Sequence, residues 1–370
     1  MFFSYKNILF ISLILCTIFS FWKSRIFSIP LIYIPIYIYA TLLFLSQKRI
    51  IVQKYFLLLF ILILLIQIPS YNNIVDIESN VVYTCMWIVN IFVGYVVFSY
   101  DKNNIIFESV SMYSIILIIF MGGVYFFWMP PAVFFGSIGI NINLVAFIAV
   151  IGVYDLFFIK KNKSLAIFIG FISLLTFSRM HFSMLLVGLY FIFFNYNKKN
   201  MALFVIFIFS ILSLIIIATL YFEAGRYSFL INNYIETDFL YLGDIDIDKR
   251  RIYLMVGVVE TIKNLFPFGT GIGVKNLTYY SSFYLEDVYS HNIRIGLAHN
   301  FYLSYLGMIG LLFFPFLLVI IYPLKKVVSD YSVLYLIFLI GIIFNEYITA
   351  PFFWIVMAMA MKPKLSKYNS

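Results

Sequence analysis

Charged residues are scarce in this chain: Asp, Glu, Lys and Arg together make up 11% of its 370 residues, where soluble domains carry about 25%. That shortage excludes a water-soluble fold of this length. Cysteine is scarcer still, and Cys16 and Cys85 sit in separate apolar runs, so neither a disulfide framework nor a zinc-ligand spacing can be built. Histidine occurs three times, at His181, His291 and His299. The acidic residues supply no metal loop either. Asp244, Asp246 and Asp248 alternate as in a calcium-binding loop, but the sixth and twelfth positions hold Lys249 and Met255 instead of Gly and Glu. Walker, Rossmann and kinase motifs are missing. The "GTGIG" at 269–273 has no strand before it and no Gly-Lys-Ser/Thr after it. It reads as a turn that lets backbone approach another segment. No metal and no cofactor is assigned.

What is present is apolar. Hydrophobic residues fill 64% of positions and the mean hydropathy is +1.02, so the expected class is all-α and polytopic, with about twelve transmembrane helices of roughly 20 residues each. Continuous rather than alternating apolar runs favour helices over a barrel. The expected spans are 7–22, 30–46, 55–69, 81–99, 105–127, 142–159, 164–178, 180–196, 201–222, 300–322, 332–346 and 350–361. Those under about 17 residues require tilt, pairing into a hairpin or different bounds. The first, "KNILFISLILCTIFSFW", has no small-residue cleavage site behind it and reads as an uncleaved span.

The net charge of +9 does not point to nucleic acid, because basic residues cluster at span ends, where they set orientation. With the N-terminus cytoplasmic, the inner loops collect Lys6, Lys48, Arg49, Lys54, Lys102, Lys160, Lys161, Lys163, Lys198, Lys199, Lys325, Lys326, Lys362, Lys364 and Lys367. The short outer loops hold only Lys23, Arg25 and Arg179. Both termini are therefore expected in the cytoplasm and the one long polar interval outside. The chain divides into helices over 1–222, a large extracytoplasmic loop over 223–299, and helices plus a cytoplasmic tail over 300–370. Outside the membrane there is no ATP or nucleotide-sugar pool, so an enzyme there needs a substrate that arrives activated, such as a lipid-linked diphosphate.

The side chains suited to such a substrate are few. Arg179, in "TFSRMHFSMLLVGL", either snorkels to the interface or faces a wet cavity; His181 reads as a packed or interfacial histidine. Arg226 follows the ninth span. Arg250 and Arg251 open "RRIYLMVGVVETIKNLFPFGTGIG", apolar enough to lie as an amphipathic helix on the outer leaflet. Arginine stays charged and bonds phosphate oxygens in bidentate fashion. The same cluster, balanced by Asp244, Asp246 and Asp248, also reads as a solvated charge patch. His299 and Asn300 stand where the loop meets the tenth span, with His291 eight residues earlier. A neutral histidine can accept a proton from a sugar hydroxyl or bond a phosphate, or serve only in packing.

Three stretches together resemble the O-antigen polymerase and O-antigen ligase superfamily of bacterial envelope glycosyltransferases. They are "GSIGININLVAFIAVIGVY" with Asn143 and Ala146, "SRMHFSMLLVGL", and the pair formed by the Arg-led "RRIYLMVGVVETIKNLFPFGTGIG" with "HNFYLSYLGMIGLLFFPFL". The late "APFFWIVMAMAM" is also similar, and the likeness covers about residues 135–361. It implies a GT-C-like fold in the bacterial inner membrane with the large loop periplasmic. Donor and acceptor would be undecaprenyl-diphosphate-linked oligosaccharides, and a chain-length regulator and a flippase are implied as partners besides membrane lipids. His299, Arg251 and Arg226 would be catalytic, and Arg179, Arg250, Asn300 and His291 would bind substrate. The doubled Arg250–Arg251 departs from the family pattern, with spacing favouring Arg251. Chain length and aromatic richness, 44 Phe and 30 Tyr, favour a polymerase over a ligase. A lipid-linked oligosaccharide flippase fits less well, because the charges gather at one outer face and no internal repeat is found. A membrane O-acyltransferase would need histidines earlier in the chain.

Overall fold

A computed structural model of the 370-residue chain describes residues 5–20, 25–26, 29–127, 142–176, 181–182, 184–188, 257–286, 301–326, 330–342 and 347–362. Their regular structure is helical apart from a two-residue antiparallel pairing of Arg25–Ile26 with Ile29–Pro30. The helices are α1 (Tyr5–Phe19), α2 (Ile34–Leu45), α3 (Lys54–Ile66), α4 (Ile77–Ser99), α5 (Ile105–Phe127), α6 (Ile142–Tyr154) and α7 (Lys163–Ser173). After them come α8 (257–265), α9 (Val274–Glu286), α10 (Phe301–Ile309), α11 (Phe313–Ile321), α12 (Asp330–Gly341) and α13 (Pro351–Met361).

The helix starts follow from sequence. Asp76 caps α4, its carboxylate accepting the Ser79 N–H at 2.7 Å, the service a short polar side chain gives the unpaired amides of a first turn. Asn162 does the same for α7 by accepting from Leu165 N, and Pro351 opens α13 at a position that needs no N–H. With 23 residues each, α4 and α5 extend about 34 Å, enough for a bilayer core of about 30 Å.

The centre of the bundle is α13, every residue of which is buried. It lies along α4 and α12. Gly94 of α4 permits the approach, since a Cβ there would stand 3.2 Å from the Trp354 carbonyl oxygen; small residues let helix backbones close on one another. Two turns earlier on α4, Trp87 is stacked between Tyr305 at 5.0 Å and Phe316 at 4.8 Å, fixing α10 and α11 to it. Gly152 of α6 plays the part of Gly94 against Ser114 of α5. The outer helices turn apolar side chains away from this core: Leu57, Leu58, Ile61, Leu64 and Leu65 of α3, Phe168 and Phe171 of α7, and Phe314 and Leu318 of α11 are exposed. Bare apolar area on that scale suits lipid and not water.

By length and composition, four helical stretches can cross a membrane: Ile77–Ser99, Ile105–Phe127, Ile142–Ile159 and Phe301–Leu324. Six more apolar helices are shorter, from Tyr5–Phe19 to Pro351–Met361. The expected count of twelve, and with it a GT-C-like arrangement, is therefore not what the described residues display. The expected spans 81–99, 105–127, 142–159 and 300–322 coincide with these four stretches, the last of them carrying a left-handed Gly310 at φ 57°. Hydropathy registers composition and not helix length, and the expected spans 332–346 and 350–361 are shorter helices packed inside the bundle. The expected span 201–222 lies outside the described residues.

Candidate functional site

The polar interval that closes the large loop is anchored to the bundle through its glycines. Residues 266–273 join α8 to α9, with Gly269, Gly271 and Gly273 at φ of 74°, 85° and 138°, a region L-residues rarely enter. A Cβ on Gly269 would stand 2.5 Å from the Met308 carbonyl oxygen, and one on Gly273 would stand 2.9 Å from Ser79 Oγ. The close approach expected of this turn is therefore its geometry.

Its contacts repair a broken helix. The left-handed Gly310 interrupts the hydrogen-bond ladder between α10 and α11, which would leave backbone groups unpaired in an apolar interior. Thr270 N donates to Gly307 O at 3.0 Å, Gly271 N to Met308 O at 2.9 Å, and Leu311 N to Pro267 O at 2.8 Å. The glycine turn thus supplies the partners the break removed.

A second set of bonds ties the turn to the segment before α4. Asn73 Nδ2 donates to Gly269 O at 2.8 Å and Asn80 Nδ2 to Ile272 O at 2.9 Å. In return the buried Asn276 accepts from Val75 N at 3.1 Å and Asp76 N at 2.7 Å. Lys275 Nζ lies 3.0 Å from Asp76 Oδ2. The Ser79 N–H and the Lys275 ammonium hold the Asp76 carboxyl below its ordinary range, and Asp76 raises Lys275. Thr261 and Ser281 meet at 3.2 Å, joining α8 to α9, and Val258 and Ile262 of α8 lie beneath Gly307 of α10.

The residues expected to do chemistry, Arg179, Arg226, Arg250, Arg251, His291, His299 and Asn300, lie outside the described residues. What is described is the framework on either side of them. Arg251 precedes α8 by six residues and Asn300 directly precedes α10. The two helices are packed together, and Phe301 N is pinned to Ile342 O at 3.2 Å. His181 is fully buried. Its Nδ1 faces the Ala146 carbonyl at 3.0 Å, which only a protonated Nδ1 can satisfy, and its Nε2 meets the Ser173 hydroxyl at 2.7 Å. That is a packed histidine joining α6 and α7. Among the described residues no three His, Cys, Asp or Glu side chains converge.

Sequence reasoning passed over the polar segment Asn73, Asp76, Ser79, Asn80, which appeared only as a short outer loop. Its signal was a run of Asn, Asp and Ser directly before an apolar helix, more polar groups than one cap requires. No protein-family model, no curated protein and no solved structure matches this chain.

Proposed function

We propose that this protein is a membrane glycosyltransferase of the polysaccharide polymerase kind, joining undecaprenyl-diphosphate-linked repeat units at the outer face of the bacterial inner membrane. The observation that carries the reading is the pairing of two stretches 40 residues apart: "PFGTGIG" and "LGMIG" are bonded backbone to backbone. They are the parts of the sequence on which the resemblance to O-antigen polymerases and ligases rests most specifically. Both termini lie in the cytoplasm in this reading, the large loop is periplasmic, and the shorter apolar helices complete further crossings.

A sugar hydroxyl of the acceptor attacks the anomeric carbon of the donor with inversion. The new glycosidic C–O bond forms as the bond to the lipid diphosphate breaks, and the hydroxyl proton passes to His299. Diphosphate is already a good leaving group, so Arg251, with Arg226, Arg179 and Arg250, needs only to stabilise the charge growing on it. A positioned base contributes about 10²–10⁴-fold. Asn300 and His291 orient the substrate. Partner proteins in this reading are a flippase that delivers the donor and a regulator of chain length.

Deleting the gene and resolving the surface glycan on a gel tests this. Core carrying a single repeat unit supports a polymerase. Bare core with lipid-linked polymer accumulating identifies a ligase, and lipid-linked units trapped inside identify a flippase. Arg251→Ala and His299→Ala should leave the protein inserted and remove long-chain glycan. Arg251→Lys should be severely impaired, since one ammonium cannot replace a bidentate fork. A full ladder from either alanine variant overturns the assignment of roles.

A further inference from the structure

Outside the anchored face of α9, the helix carries four aromatic rings with no core to fill. Tyr279 is 50% exposed and Phe283 49% exposed, and the two are four residues apart on one helical stripe. Tyr280 and Tyr284 are partly exposed beside them and stacked on each other, at 6.2 Å with 24° between ring planes. Edge contacts at 5.3 Å join Tyr279 to Tyr280 and Phe283 to Tyr284, so the four rings form one ordered surface. Among the described residues the three tyrosine hydroxyls have no hydrogen-bond partner.

Among the described side chains this surface carries no charge. The nearest cation on α9, Lys275, is paired with Asp76, and Lys263 of α8 is paired with Glu260. An anionic headgroup or polyanion finds no unpaired cation among the described residues of α8 and α9 to answer its charge, whereas a neutral polyhydroxylated ligand finds ring faces for its C–H surface and phenol hydroxyls for its hydroxyls. The face also sits in the large loop between Arg251 and His299 in sequence. We infer that the Tyr279–Tyr284 face of α9 is a carbohydrate-binding surface that holds the sugar portion of the glycan beside the site of transfer. The inference rests on the glycosyltransferase reading and deepens it by assigning a saccharide subsite to described residues.

The test uses the full-length protein in nanodiscs and, as probe, size-fractionated oligosaccharides released from the producing cell's own surface polysaccharide. Saturation-transfer NMR should show magnetisation passing from aromatic protons to sugar protons. The double variant Tyr279→Ala/Phe283→Ala should bind roughly tenfold or more weakly, as expected for losing two ring contacts. Equal binding by that variant overturns the proposal and leaves the glycosyltransferase reading intact. Saccharide binding lost in the variant, from a protein whose deletion leaves polysaccharide unchanged, sinks the reading and keeps the subsite. Tyr279→Trp gives an independent readout. Its added fluorescence should respond to the oligosaccharide and not to dibrominated phosphatidylcholine; quenching by that lipid with no response to sugar makes the face a membrane contact and overturns the proposal.

Discussion

Gly310 carries the tightest geometric demand in the described structure. Its φ of 57° is left-handed, and an added Cβ would meet the Pro267 carbonyl, with the carbonyl carbon at 2.7 Å and the Phe268 carbon at 2.9 Å. These neighbours are backbone, so they cannot move aside as a side chain could. Gly310→Ala therefore combines a left-handed penalty of about 1–2 kcal/mol with loss of the Leu311 N to Pro267 O bond, worth about 1 kcal/mol. The expected result is a protein destabilised by about 2–3 kcal/mol, measured by thermal unfolding in detergent, with faster proteolysis over residues 257–286. Gly123→Ala is the matched control: it is helical, and a Cβ there meets nothing within 4 Å, so it should be neutral or stabilising by up to about 1 kcal/mol. Equal behaviour of the two variants would mean that the glycine turn does not depend on this contact.

At the scale of elements, the α8–turn–α9 unit is held by an ion pair and caps that titrate. The Asp76 carboxyl is depressed below its ordinary 3.8 and Lys275 is raised above its ordinary 10.5. A depressed carboxyl contributes stability that is complete above its unfolded value and lost as pH falls through the folded one. A raised amine contributes below its unfolded value and loses it as pH rises through the folded one. Docking of the unit is thus expected to be strongest between about pH 4 and pH 10 and to weaken at both ends. Protease susceptibility of residues 266–286 against pH, compared between the native chain and Asp76→Asn, checks this. The acid limb should vanish in the variant, and its persistence would place the acid-sensitive group elsewhere. The same unit marks how far sequence could be read. The glycines were legible as a turn because glycine is the residue that enters such φ values freely. The break at Gly310 was not legible, since "LGMIGLLFFPF" stays apolar throughout and its repair comes from 40 residues away. The central position of α13 was hidden for a related reason: a membrane span and a fully buried helix share one composition. Of the site, sequence nominated residues outside the described framework and overlooked Asn73, Asn80 and Asn276, whose work is to bond backbone at long range.

For the whole molecule, the structure sorts the loops into two groups along α4. At its C-terminal end, Tyr95 and Tyr100 bond the backbone of Ile51, and Lys362 Nζ donates to Asp101 O at 2.6 Å and to Asn104 Oδ1 at 2.7 Å. The 46–53 connection, the α4–α5 turn and the end of α13 are thereby locked together. Burial pushes the Asp101 carboxyl up and the Lys362 ammonium down to about 8, and their mutual attraction offsets this only in part, as expected where desolvation disfavours the charged form of each group. At the other end of α4 lie Asn73–Asn80 and the glycine turn. The basic residues nearest the first group are Lys48, Arg49, Lys54, Lys102 and Lys362, and such clusters stay on the cytoplasmic side. Under the proposed orientation the C-terminal end of α4 faces the cytoplasm and the glycine turn faces outward. The expected consequence is measurable in intact cells. After Cys16 and Cys85 are replaced by serine, Lys102→Cys should resist a membrane-impermeant maleimide until the cells are lysed. Tyr279→Cys should react from outside without lysis. The opposite pattern would invert the orientation and put the proposed carbohydrate face in the cytoplasm, where a lipid-linked donor that has crossed the membrane could not reach it. Reaction of both positions from outside would mean that α4 does not cross the membrane at all, and the bundle would have to be rebuilt around some other span.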